Sequence, residues 1–248
     1  MVEIRPKKSR KPESESRTAQ LGWETAEILL ACPVVVRLYL WGPPGVGKTW
    51  FAYHRGGSER GVYAITCTPE SVASELRGHF MPQPGGGFEW HDGPVVRALR
   101  EGALLVINEI THASDDVFSF LHPILEYPET ARVTLPSNET VRPAPGFRCI
   151  ATANVSPDEL PPALRDRFDA VLELRGPHPE ALAQLSEPLR EVARRGFALD
   201  GGRSVSLRAW LALDRLRHVL GLERACAVVC GPERGAQIHD AIVLAGGC

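Results

Sequence analysis

The residues best suited to chemistry form one continuous octapeptide: Gly42, Pro43, Pro44, Gly45, Val46, Gly47, Lys48 and Thr49. The octapeptide fits G-x-x-x-x-G-K-[S/T], the loop that cradles the phosphates of a nucleotide. Its glycines let the backbone point several N–H groups at an anion, and a following helix adds its positive end. We expect Lys48 to contact the β- and γ-phosphates and Thr49 to offer its hydroxyl to Mg²⁺. The octapeptide therefore predicts nucleotide binding, but not what the nucleotide is used for.

The segments on both sides of the octapeptide predict the elements that must position it. Residues 34–41 are mostly apolar and predict a buried strand that leads into the loop. A short helix is expected directly after the loop. This strand–loop–helix context favours a phosphate-binding loop over the alternative interpretation, a turn rich in glycine and proline.

A second candidate site lies where the apolar run 103–107 ends in Asn108 and Glu109. In phosphate-loop ATPases such a strand usually ends in Asp-Glu, where the Asp orders the Mg²⁺ shell and the Glu polarises the attacking water. Glu109 is therefore the candidate general base, and a Glu merely exposed at a strand end is the alternative. Asn108 would contact Mg²⁺ through a water. It keeps a carbonyl acceptor but lacks the negative charge, which predicts weaker handling of Mg²⁺ and slower turnover.

An asparagine and two arginines could assist at the phosphates. Asn154 follows the predicted strand 147–153 and could orient the attacking water, although Asn is also common in turns. Arg165 and Arg167 lie further along the chain, where an arginine could reach the γ-phosphate of a neighbouring subunit as an arginine finger. The alternative for these arginines is a surface ion pair with Asp166 or Asp169.

Arg208 stands near the start of a predicted helix in the C-terminal part. It could contact the phosphates from a lid. Taken alone, it is one more arginine on an amphipathic helix.

Composition narrows the class of protein. The chain has 248 residues, 44% hydrophobic and 23% charged, with a net charge of −2. These values are typical of a soluble globular protein and give no indication of binding to nucleic acid or to an anionic membrane. No apolar run approaches ~20 residues, and the charged N-terminus has no apolar core, so we expect neither a membrane span nor a secretory signal. Six scattered cysteines without a C-x-x-C pair predict reduced thiols, no zinc site and a cytoplasmic location.

The order of predicted elements defines three parts of the chain. Residues 1–17 are charged and predict a disordered tail. Residues 18–176 alternate strands and helices, which predicts an α/β nucleotide-binding core with a largely parallel sheet. Residues 177–248 are expected to be mainly helical. Within the core, residues 78–92 predict a loop or hairpin, residues 114–127 a helix capped by Ser114, and residues 133–141 a hairpin that turns at Ser137-Asn138.

The order and spacing of these candidate residues resemble those of the AAA+ ATPases. The resemblance covers roughly residues 20–220, with Walker A at 42–49, Walker B at 104–109, sensor 1 at Asn154 and sensor 2 at Arg208. Within AAA+ the chain is similar to the MoxR/dynein-related branch, and especially to its CbbQ/NorQ group. Three stretches carry this closer similarity, aided by His122-Pro123: 76–80, 90–103 and 147–154.

The resemblance implies an AAA+ phosphate-loop αβα core with a parallel five-stranded sheet of order 5-1-4-3-2, followed by a small helical lid. It implies ATP and Mg²⁺ as cofactors, and Arg167, which precedes Phe168, as the arginine finger, with Arg165 second. Whether Arg208 acts on its own nucleotide or on a neighbour's differs within this branch and stays open. Residues 78–92 would be the helix-2 insert that faces the central pore of a ring.

The resemblance also implies partners. Members work as homo-oligomers, commonly hexameric rings, often with a von Willebrand factor A protein, and they remodel or activate a client. The first hypothesis is therefore a remodelling ATPase. The second is a nucleotide-gated assembly module with attenuated hydrolysis, which Asn108 motivates. The third is a DNA-associated motor, which the acidic balance and the lack of a DNA-binding motif disfavour.

Overall fold

The computed structural model of the chain describes residues 12–56, 59–200 and 205–246. These residues form two compact units. The core unit comprises residues 25–42 and 48–173, and the helical unit comprises the described residues up to 24, residues 43–47 and those from 174 onward. Of the tail predicted for residues 1–17, residues 1–11 lie outside the described part, and a helix begins at Pro12. In the described ranges, no helix combines the length and apolar character that crossing a membrane requires.

Nine strands lie in the described part of the chain: β1 (Arg37–Trp41), β2 (Val62–Thr66), β3 (Gly78–Pro82), β4 (Phe88–Asp92), β5 (Leu104–Asn108), β6 (Val133–Thr134), β7 (Thr140–Val141), β8 (Arg148–Ala153) and β9 (Ala170–Glu173). The same residues form eleven α-helices: α1 (Pro12–Ala31), α2 (Lys48–Arg55), α3 (Ala73–Arg77), α4 (Pro94–Glu101), α5 (Asp115–Leu121), α6 (Pro162–Arg165), α7 (Pro179–Ala183), α8 (Glu187–Asp200), α9 (Leu207–Leu220), α10 (Leu222–Cys230) and α11 (Pro232–Leu244).

A parallel five-stranded sheet forms the centre of the core unit, in the order β2-β5-β8-β1-β9. Counted along the chain, this is the predicted order 5-1-4-3-2, which is thus confirmed. Strand β5 is buried at every position, as expected for a continuous apolar run covered on both faces. Because parallel strands end at the same edge, the segments that follow β1, β5 and β8 meet there. Within the core unit, these segments carry Gly42, Glu109 and Asn154.

Both predicted hairpins are present in the core unit. Strands β3 and β4 pair antiparallel on either side of residues 83–87, and β6 pairs with β7. Asn138, in the second turn, adopts a positive φ of 64°, which asparagine tolerates better than most residues. Helix α5 begins as predicted, since the Ser114 side chain accepts a hydrogen bond from Val117 N. It ends at Leu121 rather than continuing to Tyr127, because Pro123 has no N–H to continue the helical ladder.

A buried arginine joins the start of β1 to the end of the core unit. Arg37 is 5% exposed, and its guanidinium donates to both carboxylate oxygens of Asp169, at 2.5 and 3.1 Å. Its remaining N–H groups donate to the carbonyls of Leu125 and Glu126. Burial alone would raise the pKa of the Asp169 carboxyl, but hydrogen bonds and charge from Arg37 outweigh it and hold the pKa below its usual value. This cluster fixes the chain near Glu126 and the segment that precedes β9.

The helical unit contains α7 to α11, as the mainly helical prediction for the C-terminal part requires. Its interior is apolar, with Trp210, Leu213 and Ile242 buried. The indole of Trp23, in α1, donates to Gly176 O at 2.9 Å within the same unit. None of the five cysteines in the described ranges forms a disulfide: Cys32, Cys67, Cys149, Cys226 and Cys230.

Candidate functional site

The phosphate loop has the backbone that its glycines predict. Gly42, Gly45 and Gly47 all adopt positive φ, at 147°, 75° and 109°. A Cβ atom at Gly45 would lie 2.3 Å from the Cβ of Ser206, so this position has no room for a side chain. Gly45 O also accepts a hydrogen bond of 3.0 Å from Leu207 N. The start of α9 therefore packs against the loop residues of the helical unit and fixes the position of Gly45.

Val46 and His178 hold the same loop at a second point. Val46 is fully buried, and its carbonyl accepts a 2.8 Å hydrogen bond from His178 N. The His178 ring packs edge-on against Trp23, with ring centroids 4.6 Å apart. Neither Ser206 nor His178 was among the predicted site residues, because their contacts with the loop are made through backbone atoms and Cβ, which no side-chain motif reports.

Lys48 begins α2 and, like Arg37, is a buried cation of the core unit, with 6% of its surface exposed. Its ammonium donates to Gly42 O at 2.8 Å and to Asn154 Oδ1 at 2.9 Å. Burial lowers the pKa of Lys48 to about 8, although the nearby Glu109 carboxylate opposes this shift. The ammonium thus stands where its charge is partly desolvated and available to an anionic ligand.

Asn154 connects this lysine to Glu109. Its Nδ2 donates to both oxygens of the Glu109 carboxylate, at 2.8 and 3.0 Å. The orientation of the amide is chemically determined, because a lysine can only donate and a carboxylate can only accept. Glu109 itself adopts a left-handed conformation, with φ 52° and ψ 44°. Such a conformation costs about 1 kcal/mol in a residue with a side chain and is found preferentially at functional sites.

Asn108 lies beside this chain of contacts and is 6% exposed. Its Oδ1 accepts a hydrogen bond from Thr152 Oγ1 at 3.2 Å, and its Nδ2 donates to Ile65 O at 3.3 Å. A carboxylate could keep the first contact but not the second. Thr152 was not predicted, yet it stands two residues before Asn154 on a strand, where alternation puts both side chains on one face.

Thr49 is exposed, and within the described residues its hydroxyl has no hydrogen-bond partner. Those residues contain no cluster of three or more His, Cys, Asp or Glu arranged to bind a metal ion. A hydroxyl next to a buried ammonium fits a Mg²⁺ ion that arrives with a phosphate ligand and keeps most of its water. The residues therefore fit the predicted nucleotide and Mg²⁺.

The two candidate finger arginines lie apart from the Lys48–Asn154–Glu109 chain. Arg165 forms an ion pair of 2.7 Å with Asp158. Arg167 forms an ion pair with Glu126 and also donates to the carbonyl oxygens of His122 and Ala163. Arg165 also forms the predicted ion pair with Asp166, at 3.9 Å, whereas the partner of Arg167 is Glu126 rather than an aspartate. In a single copy, both arginines therefore form ion pairs within the chain.

Arg208 is exposed in the first turn of α9, without a hydrogen bond or ion pair to any described residue. Ser206 caps this helix by accepting a hydrogen bond from Ala209 N. Leu207, the preceding residue, is the one that donates to Gly45 O. Within the helical unit, Arg208 is therefore next to a residue that contacts the phosphate loop of its own chain.

The parallel sheet of order 5-1-4-3-2, with a glycine loop after its first strand and polar residues after two others, defines a phosphate-loop nucleotide-binding fold. The chain belongs to the family of AAA domains (dynein-related subfamily), which matches residues 37–168. Membership in this family implies nucleotide binding.

Three relatives define the similarity further. The protein NorQ of Paracoccus denitrificans (strain Pd 1222) is 34% identical over 196 residues, which cover 75% of this chain and 67% of NorQ. The denitrification regulatory protein NirQ of Stutzerimonas stutzeri is 28% identical over 163 residues, covering 64% and 55% of the two chains. The protein CbbQ of Hydrogenophilus thermoluteolus is 27% identical over 196 residues, covering 69% and 71%. The predicted resemblance to the MoxR-type CbbQ/NorQ group is confirmed.

Proposed function

We propose that this protein binds ATP with Mg²⁺ and hydrolyses it as a homo-oligomeric ring ATPase that remodels or activates a client protein. The observation that carries this proposal is the hydrogen-bonded chain from Lys48 through Asn154 to Glu109. It supports the proposal because an ammonium, an amide and a carboxylate lie next to one another where two strands of the sheet end. We further propose six subunits, a cytoplasmic location and a von Willebrand factor A protein or another client as the partner.

The chemistry assigned to each residue follows from its position. The loop N–H groups and Lys48 bind the β- and γ-phosphates. Thr49, and Asn108 through a water, would hold Mg²⁺, which would supply positive charge to neutralise the phosphates. Glu109 orients the attacking water and accepts its proton while the bond to the γ-phosphorus forms and the bond to the leaving oxygen of ADP breaks.

The nucleotide also changes the contacts that Lys48 makes. When Lys48 turns to the phosphates, it leaves Asn154 Oδ1 without its donor. The amide can then reorient toward the γ-phosphate and release Glu109 to bind water. Because the start of α9 contacts the loop of its own chain, Arg208 acts in this proposal on the nucleotide of its own subunit.

The experiment that tests the proposal is steady-state ATP hydrolysis measured against protein concentration. We expect activity per subunit to rise with concentration, because the active site is completed by a second copy. The control is ATP binding to the same samples, followed by fluorescence of a labelled nucleotide. Tight binding with no turnover at any concentration, with and without the von Willebrand factor A protein, would rule out the ATPase.

Asn108 supports a second candidate function, a nucleotide-gated assembly module with attenuated hydrolysis. Under this alternative, the Asn108→Asp variant should raise turnover about fivefold and shift the dependence on Mg²⁺ to lower concentrations, because the metal shell gains a charged acceptor. The variant should also lose about 1 kcal/mol of stability, since the hydrogen bond to Ile65 O becomes impossible. A Mg²⁺ titration of turnover in both proteins measures this. If the two proteins give identical titrations, Asn108 does not slow ATP hydrolysis.

A further inference from the structure

Two backbone hydrogen bonds join the phosphate loop to the helices of the helical unit. Gly45 O accepts from Leu207 N at 3.0 Å, and Val46 O accepts from His178 N at 2.8 Å. All four residues belong to the same compact unit. Leu207 is the first residue of α9, and His178 immediately precedes α7. Both donors are therefore N–H groups at the start of a helix, where no acceptor within the helix is available.

These hydrogen bonds fix the orientation of two peptide groups in the loop. The peptide bonds there are trans and planar, so each carbonyl and the N–H of the next residue point in opposite directions. Because Gly45 O points to Leu207, the N–H of Val46 points away from α9. Because Val46 O points to His178, the N–H of Gly47 points away from His178, and it donates to no described residue. Two N–H groups are thus turned away from the groups that hold the loop.

The start of α9 lies directly against the backbone of the loop. Ser206 caps α9, since its hydroxyl accepts a hydrogen bond of 3.2 Å from Ala209 N. A Cβ atom at Gly45 would lie 2.3 Å from the Cβ of Ser206 and 3.4 Å from Leu207 N. Any side chain at position 45 would therefore push the loop away from the N–H that holds it.

We propose that the backbone N–H groups of Leu207 and His178 position the phosphate loop, by turning the N–H groups of Val46 and Gly47 toward the phosphates. Leu207 and His178 are positioning residues, since they contact the loop rather than the nucleotide. The inference rests on the proposed function and deepens it, because the helical unit then sets phosphate affinity through its backbone, independently of the charge of Arg208. N–H groups that are oriented before the ligand arrives bind an anion more tightly than N–H groups that must first be ordered.

The Leu207→Pro variant removes one of the two donors while α9 can still form. Proline is favoured at the first position of a helix, and two helices of this unit, α7 and α11, already begin with Pro179 and Pro232. The preceding Ser206 has φ −63° and ψ 151°, a conformation that a following proline allows. Leu207→Ala is the matched control, because it removes the same buried side chain but keeps the N–H.

Equilibrium binding of labelled ATP to the full chain, and its displacement by pyrophosphate, test the proposal without requiring hydrolysis. Leu207→Pro should raise the Kd of both ligands about tenfold relative to Leu207→Ala, because correctly oriented N–H groups form charge-assisted hydrogen bonds to phosphate. Leu222→Pro places a proline at the first position of α10 and should leave both Kd values unchanged. Thermal unfolding of every variant is measured in parallel to establish that it is folded.

His178→Pro is an independent test, and it decides the question if Leu207→Pro does not fold. His178 has φ −61°, which proline also adopts, and His178→Ala is the control that keeps the N–H. The proline variant should bind both ligands about fivefold more weakly than the alanine variant. The effect of Leu207→Pro should also persist in an Arg208→Ala background. If it disappears there, α9 acts through the charge of Arg208 and the proposal is wrong.

The outcomes separate this inference from the proposed function. Phosphate binding that depends on the N–H of Leu207, in a protein without turnover, supports the inference and refutes the ATPase. A protein that hydrolyses ATP, with equal affinities for the proline and alanine variants at both positions, refutes the inference alone. Weaker binding of ATP with unchanged binding of pyrophosphate also overturns the inference, because the change then concerns the nucleoside. A chain that binds neither ligand overturns both proposals.

Discussion

Replacing Glu109 with Gln should lower ATP turnover about a thousandfold while leaving ATP affinity within about threefold. The carboxylate is the group assigned to accept a proton from water, and an amide of the same size cannot accept it. Binding is retained because the phosphates are assigned to Lys48 and the loop rather than to Glu109. Single-turnover hydrolysis and equilibrium binding of a labelled nucleotide measure the two quantities separately.

The structure offers a control for this variant. Glu101 is also a hydrogen-bonded carboxylate of the core unit, since it accepts from Tyr63 OH at 2.7 Å, but it lies at the end of α4. Glu101→Gln should leave turnover unchanged. A Glu109→Gln variant that keeps more than about a tenth of the activity would show that another group activates the water, and the role of Glu109 would be restricted to holding Asn154.

The fold could be predicted from the sequence because its elements depend on local patterns. The predicted strands at 34–41, 103–107 and 147–153 correspond to β1, β5 and β8, and all three lie in the parallel sheet. Ser114 and Ser206 both cap helices at the positions where the predicted helices begin. The helix predicted for residues 114–127 was too long. Apolar spacing continues to Tyr127, but α5 ends at Leu121, before Pro123.

The candidate site could be predicted only where a residue belongs to a sequence motif or stands at the end of a predicted strand. The octapeptide, Glu109 and Asn154 stand at the ends of strands, and parallel topology alone brings such ends together. The contact between Glu126 and Arg167 depends on how the segment after α5 turns back on the core, which no periodicity reports.

Asn154 has a more central position than a polar residue at a strand end would suggest. A single amide accepts a hydrogen bond from Lys48 and donates to Glu109, so the proposed phosphate-binding and water-activating groups share one hydrogen-bonded residue. This sharing implies that loss of the amide would affect binding and turnover together, whereas the loss of Glu109 separates them.

Replacing Arg167 with Ala should lower turnover of the assembled protein about a thousandfold, with little change in the nucleotide affinity of a single subunit. In one copy of the chain, Arg167 contacts Glu126 and two carbonyl groups of its own core unit. None of these groups belongs to the Lys48–Asn154–Glu109 chain. The proposed action of Arg167 is therefore on the γ-phosphate of a neighbour, where a guanidinium stabilises charge in the transition state. Turnover is measured at concentrations where sedimentation shows that the variant is assembled.

Two further experiments test whether the effect of Arg167→Ala comes from chemistry in a neighbouring subunit. Arg165→Ala removes the other candidate finger, which forms an ion pair with Asp158, and should cost less than about tenfold. A mixture of Arg167→Ala and Glu109→Gln should recover activity, because each Glu109→Gln subunit offers an intact Arg167 to an intact base in its neighbour. If the two variants are shown to co-assemble and the mixture still recovers no activity, Arg167 acts within its own subunit. If Arg167→Ala alone keeps full turnover, either Arg165 is the arginine finger or the active site is not shared between subunits.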